Sequence, residues 1–75
     1  MDFHQVSTRI RHFRELRNYT QEYVAGELGI TQHSYSRLER DPARINLKRL
    51  TKILEVLGIS WNDLMDQQGN YRISI

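Results

Sequence analysis

The sequence predicts an all-α fold of five helices, built as one small domain of a 75-residue chain. Apolar residues recur at spacings of three and four, Thr, Asn and Ser stand where helices would begin, and glycines stand where two would end. Only the last segment, "YRISI", alternates with the period of a short strand, through Tyr71, Ile73 and Ile75. We therefore divide the chain into a helical domain, residues 1–66, and a C-terminal tail, residues 67–75.

The first two helices are predicted from their apolar stripes and their end residues. Asp2 is the expected N-cap of the first helix, and Asn18 ends it in a left-handed conformation. Its inward stripe is Phe3, Val6, Ile10, Phe13 and Leu16. The second helix begins after the N-cap Thr20 and stops at Gly29. Its inner face is Val24, Ala25 and Leu28.

The third helix follows the second after a turn of only three residues, "GIT". Thr31 is its expected N-cap, and only Tyr35 and Leu38 face inward. Two helices joined by a short turn with a glycine form a helix-turn-helix arrangement. Ala25 is small where the two helices would cross, and Gly29 stands where the chain must turn.

The fourth and fifth helices follow the loop "RDPARI". Asn46 is the expected N-cap of the fourth helix, and Gly58 stops it. Its inner face is Leu47, Leu50, Ile53 or Leu54, and Leu57. Ser60 is the expected cap of the short fifth helix, with Asp63 as its capping-box partner. The apolar residues of that helix are Trp61, Leu64 and Met65.

Charge is unevenly distributed along a chain whose net charge is only +2. Residues 32–52 hold six cations and two anions, whereas residues 53–75 hold one cation and three anions. A basic middle segment favours a polyanionic partner, although an ordinary solvated surface would have the same charges. The chain has no cysteine and no run of about 18 apolar residues, which predicts a cytoplasmic protein without a membrane span.

Two stretches carry a resemblance to a known family: "LRNYTQEYVAGELGITQHSYSRLER" and "INLKRLTKILEVLGISWNDLM". From Ile10 to Met65 the chain resembles Cro/repressor-type (Xre-like) helix-turn-helix domains, such as those of lambdoid phage repressors and restriction–modification controller proteins. The resemblance implies a lambda-repressor-like fold and DNA binding. One departure is that "ERDPAR" replaces the glycine that commonly follows the glutamate of the third helix.

Polar residues on the outer side of the third helix are the predicted base contacts. When Tyr35 is placed inward and each residue is rotated by 100° about the helix axis, these polar residues face away from the core. They are Gln32, His33, Ser36 and Arg37. Glutamine pairs well with adenine and arginine with guanine, and residues near the start of a recognition helix meet the bases in the major groove.

Phosphate contacts are predicted at five positions. The resemblance implies one at Gln21, where the helix dipole would also favour an anion. Ser34, Arg40 and Arg44 are candidates by hydroxyl, charge or loop position. Tyr35 is predicted in the core, with a hydroxyl that reaches the DNA backbone from its edge.

Arg14 and Glu39 form a predicted structural pair. Glu39 lies about 40° from the inward direction of the third helix, so it is not a base-reading residue. The resemblance implies an ion pair with Arg14 that locks the third helix against the first.

These observations predict a DNA-binding regulator, a repressor or autoregulator, that binds a two-fold symmetric operator as a homodimer. The expected dimer contacts are Trp61, Leu64, Met65 and the tail 71–75. The alternatives for these residues are a place in the core or an interface with a different protein. The alternative is a protein-binding module of the antitoxin type that uses the same fold.

Catalysis and metal binding are not predicted. His33 and Ser34 are adjacent on a helix, so their side chains point about 100° apart and do not form a nucleophile–base pair. His4 and His12 lack a third ligand in register. We therefore expect no enzymatic activity, no metal and no cofactor.

Overall fold

The computed structural model describes residues 4–66, which contain five α-helices and one 3-10 turn. These are α1 (His4–Leu16), α2 (Gln21–Leu28), α3 (Gln32–Arg40), the 3-10 turn (Pro42–Arg44), α4 (Leu47–Leu57) and α5 (Trp61–Met65). The all-α, five-helix fold is therefore confirmed. The predicted cap Asp2, the apolar Phe3 and the tail 67–75 with its predicted strand lie outside the described residues.

Four predicted helix starts are confirmed by their capping hydrogen bonds. The side chains of Thr20, Thr31, Asn46 and Ser60 each accept a hydrogen bond from the backbone N–H three residues later. Asp63 completes the predicted capping box by accepting from the backbone N–H of Ser60 at 2.9 Å. These bonds satisfy N–H groups that have no partner within the helix.

The predicted helix ends are also confirmed. Gly29 and Gly58 have φ angles of 73° and 67°, in the left-handed region that glycine adopts most easily. Asn18 lies two residues after the last residue of α1 and has φ 60°. At both glycine ends the residue that follows donates its N–H five residues back, to Ala25 or Leu54, as in a Schellman motif.

The core lies between α1, α2, α4 and the inner side of α3. Its fully buried large side chains are Ile10, Phe13, Val24, Tyr35, Ile53, Leu57 and Leu64. The prediction that Leu16 and Leu47 face inward is wrong, because their exposed fractions are 51% and 69%. Each is the terminal residue of its helix, where the apolar stripe continues in sequence but no other helix covers it.

The loop after α3 turns without the glycine that commonly follows the glutamate of this helix in the family that the chain resembles. Asp41 ends α3 in an extended conformation, with φ −136°, instead of a left-handed one. Its carboxylate accepts the backbone N–H of Ala43 at 3.1 Å and starts the 3-10 turn, and Pro42 is buried beneath it. An Asp-Pro pair therefore replaces a glycine turn, because aspartate caps the next turn and proline fixes its backbone.

Side chains of α1, and that of Arg17 just after it, bind backbone carbonyls within α3, α4 and α5 or at their ends. Ser7 donates to the carbonyl of Leu38 in α3 at 2.8 Å. The buried Arg9 donates to the carbonyls of Leu64, at 3.0 Å, and Asp66 at the end of α5. Arg17 donates to the carbonyl of Leu57 at 2.8 Å and so closes the end of α4. These bonds tie α1 and Arg17 to α3, α4 and α5.

Candidate nucleic-acid interface

The outer side of α3 carries all four predicted base-contacting residues. Gln32 and His33 are exposed, and Ser36 and Arg37 are half-buried. Tyr35, on the opposite side, is 0% exposed. A helix fixed by its apolar side and lined by hydrogen-bonding groups on the other can present those groups to the base edges of a major groove. We call Gln32, His33, Ser36 and Arg37 the recognition face.

Two predicted phosphate contacts stand beside the recognition face. Ser34 is exposed, and its hydroxyl accepts a hydrogen bond from the Thr31 hydroxyl at 3.0 Å. Ser34 is therefore also part of the start of α3. Arg40 is exposed at the end of the helix, with its Nε 3.4 Å from the carbonyl of Ser36.

The C-terminal end of α3 and the 3-10 turn form an open cavity of about 260 Å³. Arg37, Arg40, Asp41 and Arg44 line it. The only ion pair among them joins Arg44 Nε to Asp41 Oδ2 at 3.5 Å, with both side chains about half exposed. Three guanidinium groups and one carboxylate give this cavity, which we call the cationic pocket, an excess positive charge suited to a phosphate.

Gln21, the other predicted phosphate contact, is held by a carboxylate. Its Nε2 donates to Glu39 Oε1 at 3.0 Å, and the side chain is half-buried at the first residue of α2. The second N–H of the amide and the backbone N–H at the helix start remain as donors toward an anion. Sequence reasoning missed this bond, because no periodic pattern relates residues 18 positions apart.

Arg14 and Glu39 make a bidentate ion pair between α1 and α3. The Nε of Arg14 lies 2.6 Å from Glu39 Oε2, and its Nη2 lies 3.1 Å from Oε1. The side chains are only 12% and 3% exposed. The third donor of Arg14, Nη1, reaches the carbonyl of Tyr19 at 2.8 Å. The guanidinium therefore joins α1, α3 and the segment before α2.

Opposing effects act on the pKa of Glu39. Burial raises the pKa of this carboxyl, but the contacts with Arg14, Tyr35 and Gln21 outweigh burial and hold it below its usual range. The hydrogen bond to Glu39 in turn raises the pKa of Arg14. Both groups are thus charged at neutral pH inside a nearly closed site.

Tyr35 does not fit its predicted phosphate contact. The whole residue is 0% exposed, and its hydroxyl is buried. Burial raises the pKa of Tyr35, and the neighbouring Glu39 raises it further. The helical period placed its ring correctly in the core, but the hydroxyl lies in the interior instead of at the edge.

A second basic surface, between α2 and α4, carries no predicted contact. A cavity of about 290 Å³ is lined by Leu28, Asn46, Lys48, Arg49 and Lys52. The charges of these cations are visible in the sequence, but their grouping with the end of α2 depends on the tertiary fold. We call this cavity the α2–α4 groove.

The predicted dimer residues of α5 have different environments. Trp61 and Met65 are 41% and 40% exposed, and their spacing of four residues puts them on one side of the helix. Leu64 is 0% exposed and belongs to the core, so it cannot contact a second chain. The tail lies outside the described residues.

Residues 4–66 contain neither a cluster of metal-binding side chains nor a membrane-spanning helix. Within residues 4–66, no three side chains among His, Asp and Glu come together in a way that would hold a metal ion. None of the helices in that range has the length and apolar character required to cross a membrane.

Comparisons with known proteins agree with the helix-turn-helix arrangement of α2 and α3. The Helix-turn-helix family model matches residues 10–64. The chain is 37% identical over 57 residues to the SPbeta prophage-derived uncharacterized HTH-type transcriptional regulator YonR of Bacillus subtilis (strain 168). The match covers 76% of the chain and 53% of the relative, so the chain spans about half the length of that protein. No solved structure matched the chain.

Proposed function

Because the chain belongs to the helix-turn-helix family of the Cro/Xre type, we propose that it binds double-stranded DNA and regulates transcription. The recognition face of α3 carries this proposal. Its four side chains lie on the open side of a helix whose other side is fixed in the core. In the major groove, Gln32 would pair with adenine and Arg37 with guanine, and His33 and Ser36 would add hydrogen bonds.

The phosphate contacts of the proposal come from the start of α2, from α3 and from the 3-10 turn. Gln21 stands at the start of α2, where the helix dipole favours an anion. Arg40 and Arg44 line the cationic pocket at the C-terminal end of α3, and Ser34 adds an exposed hydroxyl near the start of that helix. Such contacts fix the register and supply affinity, whereas the base contacts supply sequence preference.

The finer part of the proposal is that the protein represses transcription as a homodimer on a two-fold symmetric operator. Half-sites would lie about 34 Å apart, or a multiple of that distance. The exposed pair Trp61 and Met65 supports a dimer surface on α5. Repression is favoured over activation because occupancy of a promoter needs no further contact surface.

A salt titration on random-sequence duplex tests DNA binding itself. We expect log K to fall steeply between about 50 and 200 mM salt, since each phosphate contact releases counterions and contributes a slope of about −0.9. Binding to a selected sequence should exceed binding to the random duplex. Absence of any duplex binding at low salt would contradict the proposal and favour a protein-binding module built on the same fold.

A further inference from the structure

The cationic pocket carries an opposing charge of its own. Three arginines and one aspartate, Asp41, line it, whereas the described residues that line the α2–α4 groove include three cations and no carboxylate. Asp41 stands in the loop where the family commonly has a glycine, which has no side chain. The structure therefore places a negative charge beside the arginines that are proposed to hold a phosphate.

The side chain of Asp41 cannot leave the pocket without the loss of a structural bond. Its Oδ1 accepts the backbone N–H of Ala43 at 3.1 Å and so starts the 3-10 turn. Its Oδ2 lies 3.5 Å from the Nε of Arg44, and both side chains are about half exposed. The backbone thus fixes one oxygen, and the other lies beside a cation of the pocket.

The stability of the fold accounts for an oxygen at this position but not for its charge. A cap needs only one acceptor, and asparagine or serine supplies it as well as aspartate does. Asp41 also ends α3, where the negative end of the helix dipole disfavours a carboxylate. Its ion pair with Arg44 contributes little, because the pair is half exposed and longer than a usual hydrogen bond.

A carboxylate on this wall opposes an anion in the pocket. A cavity of about 260 Å³ is roughly 8 Å across, a distance over which two unit charges near a protein surface still repel each other appreciably. A phosphate and Asp41 would also compete for Arg44, since one guanidinium would have to satisfy both anions. The weak pair does not hold Arg44 firmly in place, so the repulsion outweighs any gain from its orientation.

We propose that Asp41 weakens the binding of DNA phosphate in the cationic pocket and thereby lowers the affinity of the protein for any duplex. This inference rests on the proposed DNA binding and deepens it, because it assigns an opposing charge to a site that otherwise attracts phosphate. Phosphate contacts are common to all sequences, so Asp41 lowers affinity without a change in base preference.

Substitutions that keep the cap but remove the charge test the proposal. Asp41→Asn keeps an oxygen that can cap the 3-10 turn, and Asp41→Ser supplies a second neutral cap. Thermal unfolding checks that both variants keep the fold. Binding to random-sequence and selected duplexes is measured by fluorescence anisotropy over a range of salt. For each subunit on the DNA, we expect affinity to rise about 3- to 10-fold on both duplexes, and the slope of log K against log salt to steepen by up to about one.

The matched control is Glu15→Gln, which removes a carboxylate from a similarly exposed pair with an arginine on α1, outside the pocket. It changes the net charge by the same amount as Asp41→Asn, so it measures the general gain in attraction to DNA. The gain from Asp41→Asn should shrink in an Arg44→Ala background, because no competition for that guanidinium remains.

If Asp41→Asn binds no better than Glu15→Gln while the wild-type protein binds DNA, the inference is wrong and the proposed function stands. Weaker binding by both neutral variants would show that the carboxylate organises Arg44 for DNA, which also overturns the inference. So would an equal gain with and without Arg44, or a gain confined to the selected duplex. Absence of duplex binding by the wild type and by both neutral variants would overturn the proposed function and this inference with it.

Discussion

At the scale of single residues, one carboxylate holds together three helices. Glu39 of α3 accepts from Arg14 of α1 through both oxygens and from Gln21 of α2 through one. Buried charges are tolerated only when paired and hydrogen-bonded, and this group satisfies that condition. The same carboxylate therefore stabilises the fold and orients Gln21, a proposed phosphate contact.

Removal of this carboxylate should destabilise the protein strongly. We expect Glu39→Ala to lower the free energy of unfolding by about 3–5 kcal/mol, because Arg14 would remain as an unpaired, nearly buried charge. Urea unfolding measures the change. Glu15→Ala is the control, since Glu15 pairs with Arg11 at an exposed site and should contribute less than about 1 kcal/mol. Equal stability of the two variants would contradict the role of Glu39.

The low pKa of Glu39 predicts a specific pH dependence. A carboxyl whose pKa is lower in the folded state contributes stability that is present above its unfolded pKa, about 4.3, and is lost as pH falls through the folded value. The stability difference between wild type and Glu39→Gln should therefore be largest near neutral pH and shrink below about pH 4. Thermal unfolding from neutral to acidic pH measures it, and a constant difference would refute the assignment.

At this scale the sequence predicted some features and missed others. The helical period of α3 correctly predicted that Tyr35 faces the core and that the recognition face lies outward, since these directions depend only on local helix geometry. The position of the Tyr35 hydroxyl and the bond between Gln21 and Glu39 depend on how helices pack. No local pattern encodes such contacts.

At the scale of elements, the ends of the helices are set by short-range chemistry. The caps and stop residues were predictable because each depends on a few neighbouring residues. The burial of Leu16 and Leu47 was predicted wrongly because it depends on distant residues. An apolar stripe indicates which side of a helix can be buried, but only the other helices decide how far along the helix that burial extends.

Two glycines on and beside α2 should respond oppositely to substitution. Gly26 lies within the helix, and an added Cβ would meet no atom within 4 Å. Gly26→Ala should therefore stabilise the protein by about 0.5–1 kcal/mol. Gly29 has φ 73°, so Gly29→Ala should destabilise it by about 1–2 kcal/mol, although the space is open. Equal shifts in melting temperature would show that backbone conformation does not control this turn.

At the scale of the whole molecule, the exposed side of α5 bears on assembly. Trp61 and Met65 are large side chains with about two-fifths of their surface exposed. A proposed homodimer would bury them, and aromatic residues dominate the energetics of such interfaces. Sequence reasoning found Trp61 and Met65 but could not separate them from Leu64, which faces the core in the same short helix.

Substitution of the tryptophan tests the proposed dimer. Trp61→Ala should raise the dimer dissociation constant by roughly 30-fold, the equivalent of about 2 kcal/mol for an interface anchor. Sedimentation equilibrium measures this. Leu47→Ala is the control, since Leu47 is the more exposed of the two but lies at the start of α4. A monomeric wild type, or equal effects of both substitutions, would contradict the dimer surface.

The proposed function requires α3 to read bases while its surroundings hold the phosphates, and the substitution pair Arg37→Ala and Arg44→Ala separates these two roles. Both arginines line the cationic pocket, but only Arg37 belongs to the recognition face. Binding of each variant is measured on the preferred duplex and on its single-base-pair variants. Arg37→Ala should cost about 1–3 kcal/mol on the preferred sequence and relax the preference at one base pair. Arg44→Ala should weaken binding to every sequence alike and reduce the salt slope by about one. If both variants lose affinity equally on all sequences, α3 does not read bases through Arg37, and this division of roles is contradicted.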